Sequence, residues 1–559
     1  MCCTLLAALL LAASARSAEP ADTLYLDGVV QTLDAASTRT GAVAVRGGRI
    51  IATGSTAELQ ALRGPATRVV GLAGRALLPG FVDGHSHLGH ALQFIDWANL
   101  SEPPVGAVRD IPSLRAALRM HARALAPARG EWIVGYGYSR ESLAEGRELD
   151  RTDLDADFPG NPVMVLHVSG HGAVFNSAAF RLAGVDAATP DPAGGLILRR
   201  PGRSEPAGLV METALFPFMA LLPRQDPGKV AEALRRAQAL YAANGYTTIQ
   251  DGATDPGLLA QLRTAAAEGR LFLDVVALPV VARKEDFASA IAQDFGRYEG
   301  RLKLGGIKFL LDGSPQARTA WFTRPYLTGG PGGEEDWRGK PFMPPEDYLR
   351  GFAEAWARHV PVWTHANGDA AIDLLIESHR RVGARPSDDR RNVVIHSQFV
   401  RQDQLEAYAR HGIAASFFSN HAFFWGEVHL RNLGEERARF LSPLAAATAL
   451  GLRFSNHTDY GVTPLDPLFT LWSATTRQTR SARVLGPDQR VDTLTALRAL
   501  STGPAWIYRE ENEKGSIEPG KLADFVLLDR DPLAVDPAEL RNIRILATVK
   551  EDRLVHGAF

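Results

Sequence analysis

His85 and His87, in GFVDGHSHLGH, are two residues apart, so in extended backbone both side chains leave the chain on one side. Two imidazoles converging from one strand suit zinc or another transition metal. The chain has 15 histidines, so an H-x-H pair also arises by chance and alone reads as an ordinary core or surface pair. Four further residues sharpen the question: Lys308 in GGIKFLLDGS, His365 in VWTHANGD, His396 in VVIHSQF and Asp459 in FSNHTDY. Each lies at or near the end of a short apolar run. Each also has a plain structural reading: the histidines as hydrogen-bonded core residues, Asp459 as a turn or helix cap, Lys308 as the partner of Asp312. The lysine is the costly one. Full burial lowers a lysine pKa by about 3–5 units, roughly 4–7 kcal/mol against the charged form.

The elements that must position these residues are eight apolar or β-branched runs, in order ALLPGFVDGH, GYTTIQDG, LFLDVVAL, IKFLLDG, VPVWTHANG, NVVIHSQF, GIAASFF and LRFSNHTD. Helix-like stretches such as DPGKVAEALRRAQALYAANG and PEDYLRGFAEAWARH separate most of them. Alternating strand and helix implies a parallel sheet, and eight units fit an α/β fold of the (β/α)8 TIM-barrel class; a doubly wound open sheet is the alternative. In a barrel the polar residues of five of these runs encircle one mouth, the C-terminal face on which active sites are built.

The barrel is expected over residues 77–504, with an inserted subdomain at about 90–230, where the connection after strand one is too long for a single βα loop. Residues 20–76 and 505–559 read as strands and turns, and are expected to form one composite β-sandwich from both termini. Residues 1–18, MCCTLLAALLLAASARSA, resemble a secretory signal peptide with a weak n-region, which implies a periplasmic or secreted protein. Cys2 and Cys3 are the only cysteines and lie in this leader, which excludes disulfides and Cys-ligated metal from the mature chain. Formal net charge is −2, so no electrostatic case exists for nucleic acid or an anionic membrane. No other run is apolar enough to span a bilayer. The expected partner is a small molecule, and a homo-oligomer is compatible with the sequence.

LLPGFVDGHSHLG, GIKFLLDGSPQARTA, HANGDAAID, IHSQ, SNHTDYGVTPLDPL and GSIEPGKLADFVLLDRDPL together resemble the amidohydrolase superfamily, specifically its YtcJ-like, or amidohydrolase-3, branch. The resemblance implies that Lys308 is carboxylated by carbon dioxide and bridges two divalent metals, zinc by expectation. It implies that His85, His87 and Asp459 hold one metal and His365 and His396 the other. It further implies a metal-activated hydroxide that cleaves a non-peptide C–N bond of an amide, N-acyl or N-formyl type, with Asp459 as base and then acid. His171, in HVSGHGAVF, matches a Gly-His stretch usual in the branch and, with His421 and Trp425, is a candidate for contacting substrate. His457 stands where many relatives have a small residue, and Tyr460 also replaces a small one, which would narrow the pocket. A deaminase is disfavoured, because no glutamate follows His365 closely and the lysine is present. An esterase or lactonase on the same site, and a non-catalytic binding protein, remain the alternatives.

Overall fold

A computed structural model describes residues 19–94, 96–103, 105–223 and 227–559; the leader-like segment 1–18 lies outside the described residues. Eight strands carry the centre of the molecule: β1 (Phe81–Val82), β2 (Tyr246–Thr254), β3 (Asp274–Val281), β4 (in two segments, Leu302–Leu304 and Ile307–Leu310), β5 (Val362–Ala366), β6 (Val393–His396), β7 (Ala414–Phe417) and β8 (Phe454–Asn456). Each pairs in parallel with the next. Between β8 and β1 the wall is completed by other contacts. At the base Asn456 N donates to Ala499 O (2.9 Å) and Val82 N to Leu500 O (3.0 Å). At the mouth Asp459 N donates to His85 O (3.2 Å), and from β7 Ser416 Oγ reaches across to Gly84 O (3.1 Å). This is the TIM-type α/β fold expected from the alternating runs, and its closure brings the ends of the first and last strands side by side.

Strand residues alternate between two cores. Val82, Val276, Leu278, Trp363, Val393 and Ile395 fill the barrel interior. Ile307, Phe309, Leu311, Val394 and Ala415 face outward and pack on the helices, for example on Tyr348 and Phe352 of helix Pro345–Ala357. That helix starts with proline, carries Glu346 and Asp347 in its first turn, and buries Tyr348, Leu349, Phe352 and Ala355, the stripe of a helix with one face on a sheet.

β4 breaks the alternation once. Ala277 pairs with Leu304 and Val280 with Lys308, so four residues of β4 span three of β3. The extra residue falls at Gly305–Gly306, where φ of Gly306 is 138° and a Cβ would stand 2.4 Å from Pro361 O. Lys303 and Lys308 are five positions apart, which in a regular strand places them on opposite faces. The bulge turns both into the barrel, Lys303 at the base and Lys308 at the mouth.

Between β1 and β2 runs a six-stranded sheet, in the order Gly195–Arg199, Pro206–Glu212, Gly172–Phe175, Val163–His167, Ile133–Tyr138, Ala98–Asn99, with apolar clusters of its own. Strands from both ends of the chain form two further sheets. In one of them Phe525–Leu528 pairs antiparallel with Ala76–Pro79, immediately before the barrel begins. Tyr25, Val43, Val45, Leu77, Phe525 and Val549 pack between the sheets.

Under the barrel the sandwich is tied on by buried ions. Asp274 Oδ2 contacts Lys514 Nζ at 2.6 Å and Lys550 Nζ at 2.7 Å. Lys550 also reaches Asp524 (2.7 Å), Lys514 reaches Glu510 (2.9 Å), and Lys303 pairs with Glu510 and donates to Tyr508 O (2.8 Å). Among the described residues, no helix is long and apolar enough to cross a membrane.

Candidate metal centre

β1 ends in Asp83-Gly84-His85, and the aspartate organises the turn: Asp83 accepts from Ser86 Oγ, from Gln250 N (3.1 Å) and from His85 N (3.2 Å). His85 is fully buried, and its Nδ1–H donates to Gln250 Oε1 at 2.5 Å. Gln250 is held in turn by Tyr508, whose hydroxyl donates to Asp83 O (2.6 Å). This chain fixes the imidazole tautomer and leaves the Nε2 lone pair pointing into the mouth.

Opposite it lies Asp459, 3.6 Å from His85 Nε2 and 3.3 Å from His87 Nε2. His396 completes the closest group: one ligand atom each from His85, His396 and Asp459 lies within 4.8 Å of the others, and all three residues are buried. His396 reaches this position by backbone distortion. Val393 and Ile395 face inward and Val394 outward, so a regular β6 would send His396 to the helices; its φ of 70° turns it to the mouth instead. Asp459 also has positive φ (51°). Positive φ in non-glycine residues is costly and concentrates at functional sites.

The electrostatics suit a cation. Burial drives His85, His365 and His396 well below the usual imidazole pKa, so they are neutral and free to act as ligands. Burial opposes the Asp459 charge, but His396, His87 and His85 outweigh it and hold its carboxyl well below the usual range. His85 Nε2 and Asp459 Oδ1 are buried with no hydrogen-bond partner. A lone pair and an anion facing each other without a donor between them are the donor set a divalent metal satisfies.

Lys308 lies 2% exposed beneath them. The structural alternative, a pair with Asp312, is not what forms. Asp312 instead accepts Asn367 N (2.9 Å), Gly368 N (2.8 Å) and Trp321 N (2.9 Å), and burial pushes its carboxyl up to about 7. No hydrogen bond or ion pair engages the Lys308 amine among the described residues, and burial lowers its pKa to about 7, partly offset by Asp459 and Asp251.

His365 Nδ1 and His396 Nε2 face each other at 3.0 Å. The tightest grouping therefore crosses the division implied by the resemblance, because His396 joins His85 and Asp459 as well as His365. His457 bridges His396 Nδ1 (3.1 Å) and Ser416 Oγ (2.8 Å), both of its nitrogens being occupied. His171, from the inserted sheet, hangs over the mouth with its ring 5.0 Å from that of His365. Burial works against its charge, but Glu212 at 2.9 Å outweighs burial and raises its pKa. His421 is occupied by His429 (3.1 Å), whereas Trp425 and Tyr460 line a cavity beside the mouth.

Gln250, Glu212 and Asp312 are residues the sequence reading did not assign to the site. Gln250 lies in the GYTTIQDG run, where a polar residue flanked by β-branched ones is a usable signal; Glu212 carries none. Gly252 is equally placed by the site: a Cβ there would meet His85 Cε1 at 2.2 Å and Nδ1 at 2.5 Å. Gly252→Ala is expected to displace His85 and weaken metal binding by about 10–100-fold, the usual cost of disturbing a ligand's support. Metal titration of chelator-treated protein measures it.

Known proteins resemble the chain over most of its length. N-substituted formamide deformylase of Arthrobacter pascens is 28% identical over 542 residues, covering 94% of this chain and 97% of that protein. The putative amidohydrolase YtcJ of Bacillus subtilis is 28% identical over 549 residues, covering 95% and 99%. The crystal structure of an uncharacterized metal-dependent hydrolase from Pyrococcus horikoshii superposes with a TM-score of 0.72 at 23% identity, over 92% of this chain and 99% of that one, and shows the same fold. A profile of the imidazolonepropionase-like composite domain of bacteria matches residues 41–62, in the terminal sandwich. The profile of the amidohydrolase family runs from residue 68 to 556, through sandwich, barrel and insertion alike, and the chain belongs to that family.

Proposed function

We propose that the protein hydrolyses a non-peptide C–N bond of an amide, N-acyl or N-formyl type, at a centre of two divalent metals, zinc by expectation, held by His85, His87, His365, His396, Asp459 and a carboxylated Lys308. One observation carries the reading. Among the described residues four lysines are buried; Lys303, Lys514 and Lys550 are each ion-paired, and Lys308 alone has no hydrogen-bond or ion-pair partner there. An unpaired amine with a pKa near 7 has a substantial neutral fraction at physiological pH, and a neutral amine adds carbon dioxide to give an anionic carbamate. That turns a buried base into an oxygen ligand among neutral imidazoles.

Bound there, divalent metal supplies an acidified water and an electrophile for the scissile carbonyl. The protein's own part is protonic and positional. The Asp459 carboxylate lies beside His85 and His87, ionised and with one oxygen unpartnered, so it can take the proton of a nucleophilic water and return it to the leaving nitrogen. His171, aligned by Glu212 over His365, faces the substrate from the opposite side. The deformylase relative favours an N-formyl or similar amide.

Screening N-formyl amines, N-acyl amino acids and aryl amides with metal-loaded protein tests the reading. Asp459→Asn is expected to lower turnover by about 10²–10⁴-fold. Its metal content should fall much less. Equal loss of metal and turnover would make Asp459 a ligand only, without the proton-transfer role.

A further inference from the structure

Beside the mouth lies a partly open cavity of about 380 Å³, between the inserted sheet and the barrel. Two of its walls continue segments that carry candidate ligands, and a third continues the helix that begins at His421. Phe94 ends the helix Leu88–Phe94 that follows His87, Tyr460 follows Asp459, and Trp425 lies one turn after His421. Tyr136, from inserted strand Ile133–Tyr138, stacks on Phe94 with centroids 4.0 Å apart and planes 6° from parallel; Phe424 completes the ring-lined wall. A file of rings leads there from the candidate ligand His87, through His90 at 4.6 Å and Phe94 at a further 5.3 Å. A dry cavity of about 150 Å³ already holds benzene, so this one has room for an aromatic ring and a short linker.

The charged groups at the cavity are each paired or capped. Arg480 is the one cation among the described lining residues, and it is bound to Glu102 at 2.6 Å and to Pro103 O at 2.8 Å. Its guanidinium lies over the rings of Phe423 and Phe424, 5.4 and 5.2 Å from their centroids. Asp466, the other acid, accepts Phe469 N (2.9 Å) as the cap of helix Pro467–Thr476. Arg480 Nε is buried without a hydrogen-bond partner, but the guanidinium charge is balanced by Glu102, so an incoming carboxylate meets an already paired cation and the Glu102 carboxylate beside it.

We propose that this cavity seats an uncharged aromatic substituent of the substrate and discriminates against one bearing a carboxylate. The proposal rests on the amide-hydrolysis reading for its chemistry, but not for its binding. Three compounds separate the cases: N-phenethylformamide, N-butylformamide and N-formylphenylalanine, the last having the same ring plus a carboxylate. With metal-loaded, full-length protein, kcat/KM is expected to be about tenfold higher for the phenethyl compound than for either of the others, the scale at which a pocket resolves small apolar differences. Glu102→Gln frees Arg480 and should raise N-formylphenylalanine relative to N-phenethylformamide by about tenfold. Trp425→Leu should erase the preference for ring over butyl, and decides the matter if Glu102→Gln fails to fold.

Binding is read separately. 2-Phenylethanol should quench tryptophan emission in the wild type but much less in Trp425→Leu, and 1-butanol should do neither. No hydrolysis of any amide, with 2-phenylethanol still bound through Trp425, would overturn the amide reading and support the cavity assignment. Absence of ring binding, or N-formylphenylalanine turned over as well as N-phenethylformamide, overturns the cavity assignment.

Discussion

Lys308→Met is expected to leave the protein folded and strip it of both metal and hydrolytic activity. Methionine matches the length and apolar stem of lysine and removes an amine that has no partner among the described residues. The cost it removes is large: the fall from 10.5 to about 7 amounts to roughly 5 kcal/mol against the charged form. The sign follows from proton counting. Between about pH 7 and 10.5 the unfolded chain binds a proton at this lysine that the metal-free fold does not, so the metal-free wild type should gain stability as pH rises across that window. The variant should lack this slope and, at pH 7, be more stable by about 1–4 kcal/mol. Turnover should nevertheless fall by roughly 10³-fold or more, the scale of losing an ion that brings the pKa of water from 15.7 to about 7. Lys308→Arg should fail equally, because a guanidinium stays charged and cannot add carbon dioxide. Short carboxylic acids supplied to Lys308→Ala should restore part of both metal and turnover. Metal analysis alongside amide assays checks the prediction; unchanged metal and activity in Lys308→Met would reduce the residue to a buried structural lysine.

Asp274→Ala is expected to have the opposite profile, with intact chemistry in a badly weakened protein. Its carboxylate is shared by Lys514 and Lys550 and also receives Arg301 at 2.9 Å. Removing it leaves two buried ammonium groups short of a counter-charge, a change that costs about 3–5 kcal/mol. Burial works against the Asp274 charge, but Lys514 and Lys550 outweigh it and hold the carboxyl far below its usual 3.8. A depressed carboxyl contributes stability above the unfolded pKa and loses it as pH falls through the folded one. The wild type's lead over Asp274→Asn should therefore be full at neutral pH and shrink below about pH 4. Urea midpoints across that range measure it. A wild type and variant with the same midpoint at pH 7 would show that the ions under the barrel contribute nothing net.

The eight strands were legible because each is a short apolar run whose inward and outward residues are both buried, bounded by glycine or a polar turn. The candidate site was legible where a polar residue ends such a run, as at His85, His365 and Asp459, or interrupts one, as at Lys308. Less was legible where position depends on a local departure from regular backbone. Strand parity alone sends His396 outward, and only its positive φ brings it beside His85. Which buried lysine lacks a partner was beyond the sequence, since Lys303 and Lys308 occupy similar apolar runs and differ only in what faces them. Gln250 and Glu212 act on His85 and His171 from 165 and 41 residues away, a separation no local pattern records.

The bulge at Gly305–Gly306 makes β4 two half-strands with separate phases. The lower half presents Lys303 to Glu510 and Tyr508, and so to the sandwich; the upper half presents Lys308 to the mouth. A slip in one half need not propagate to the other, because the glycine pair absorbs the change in parity. The fold thereby insulates the anchoring of the terminal domain from the mouth along a single strand, so a change where that domain attaches need not displace Lys308.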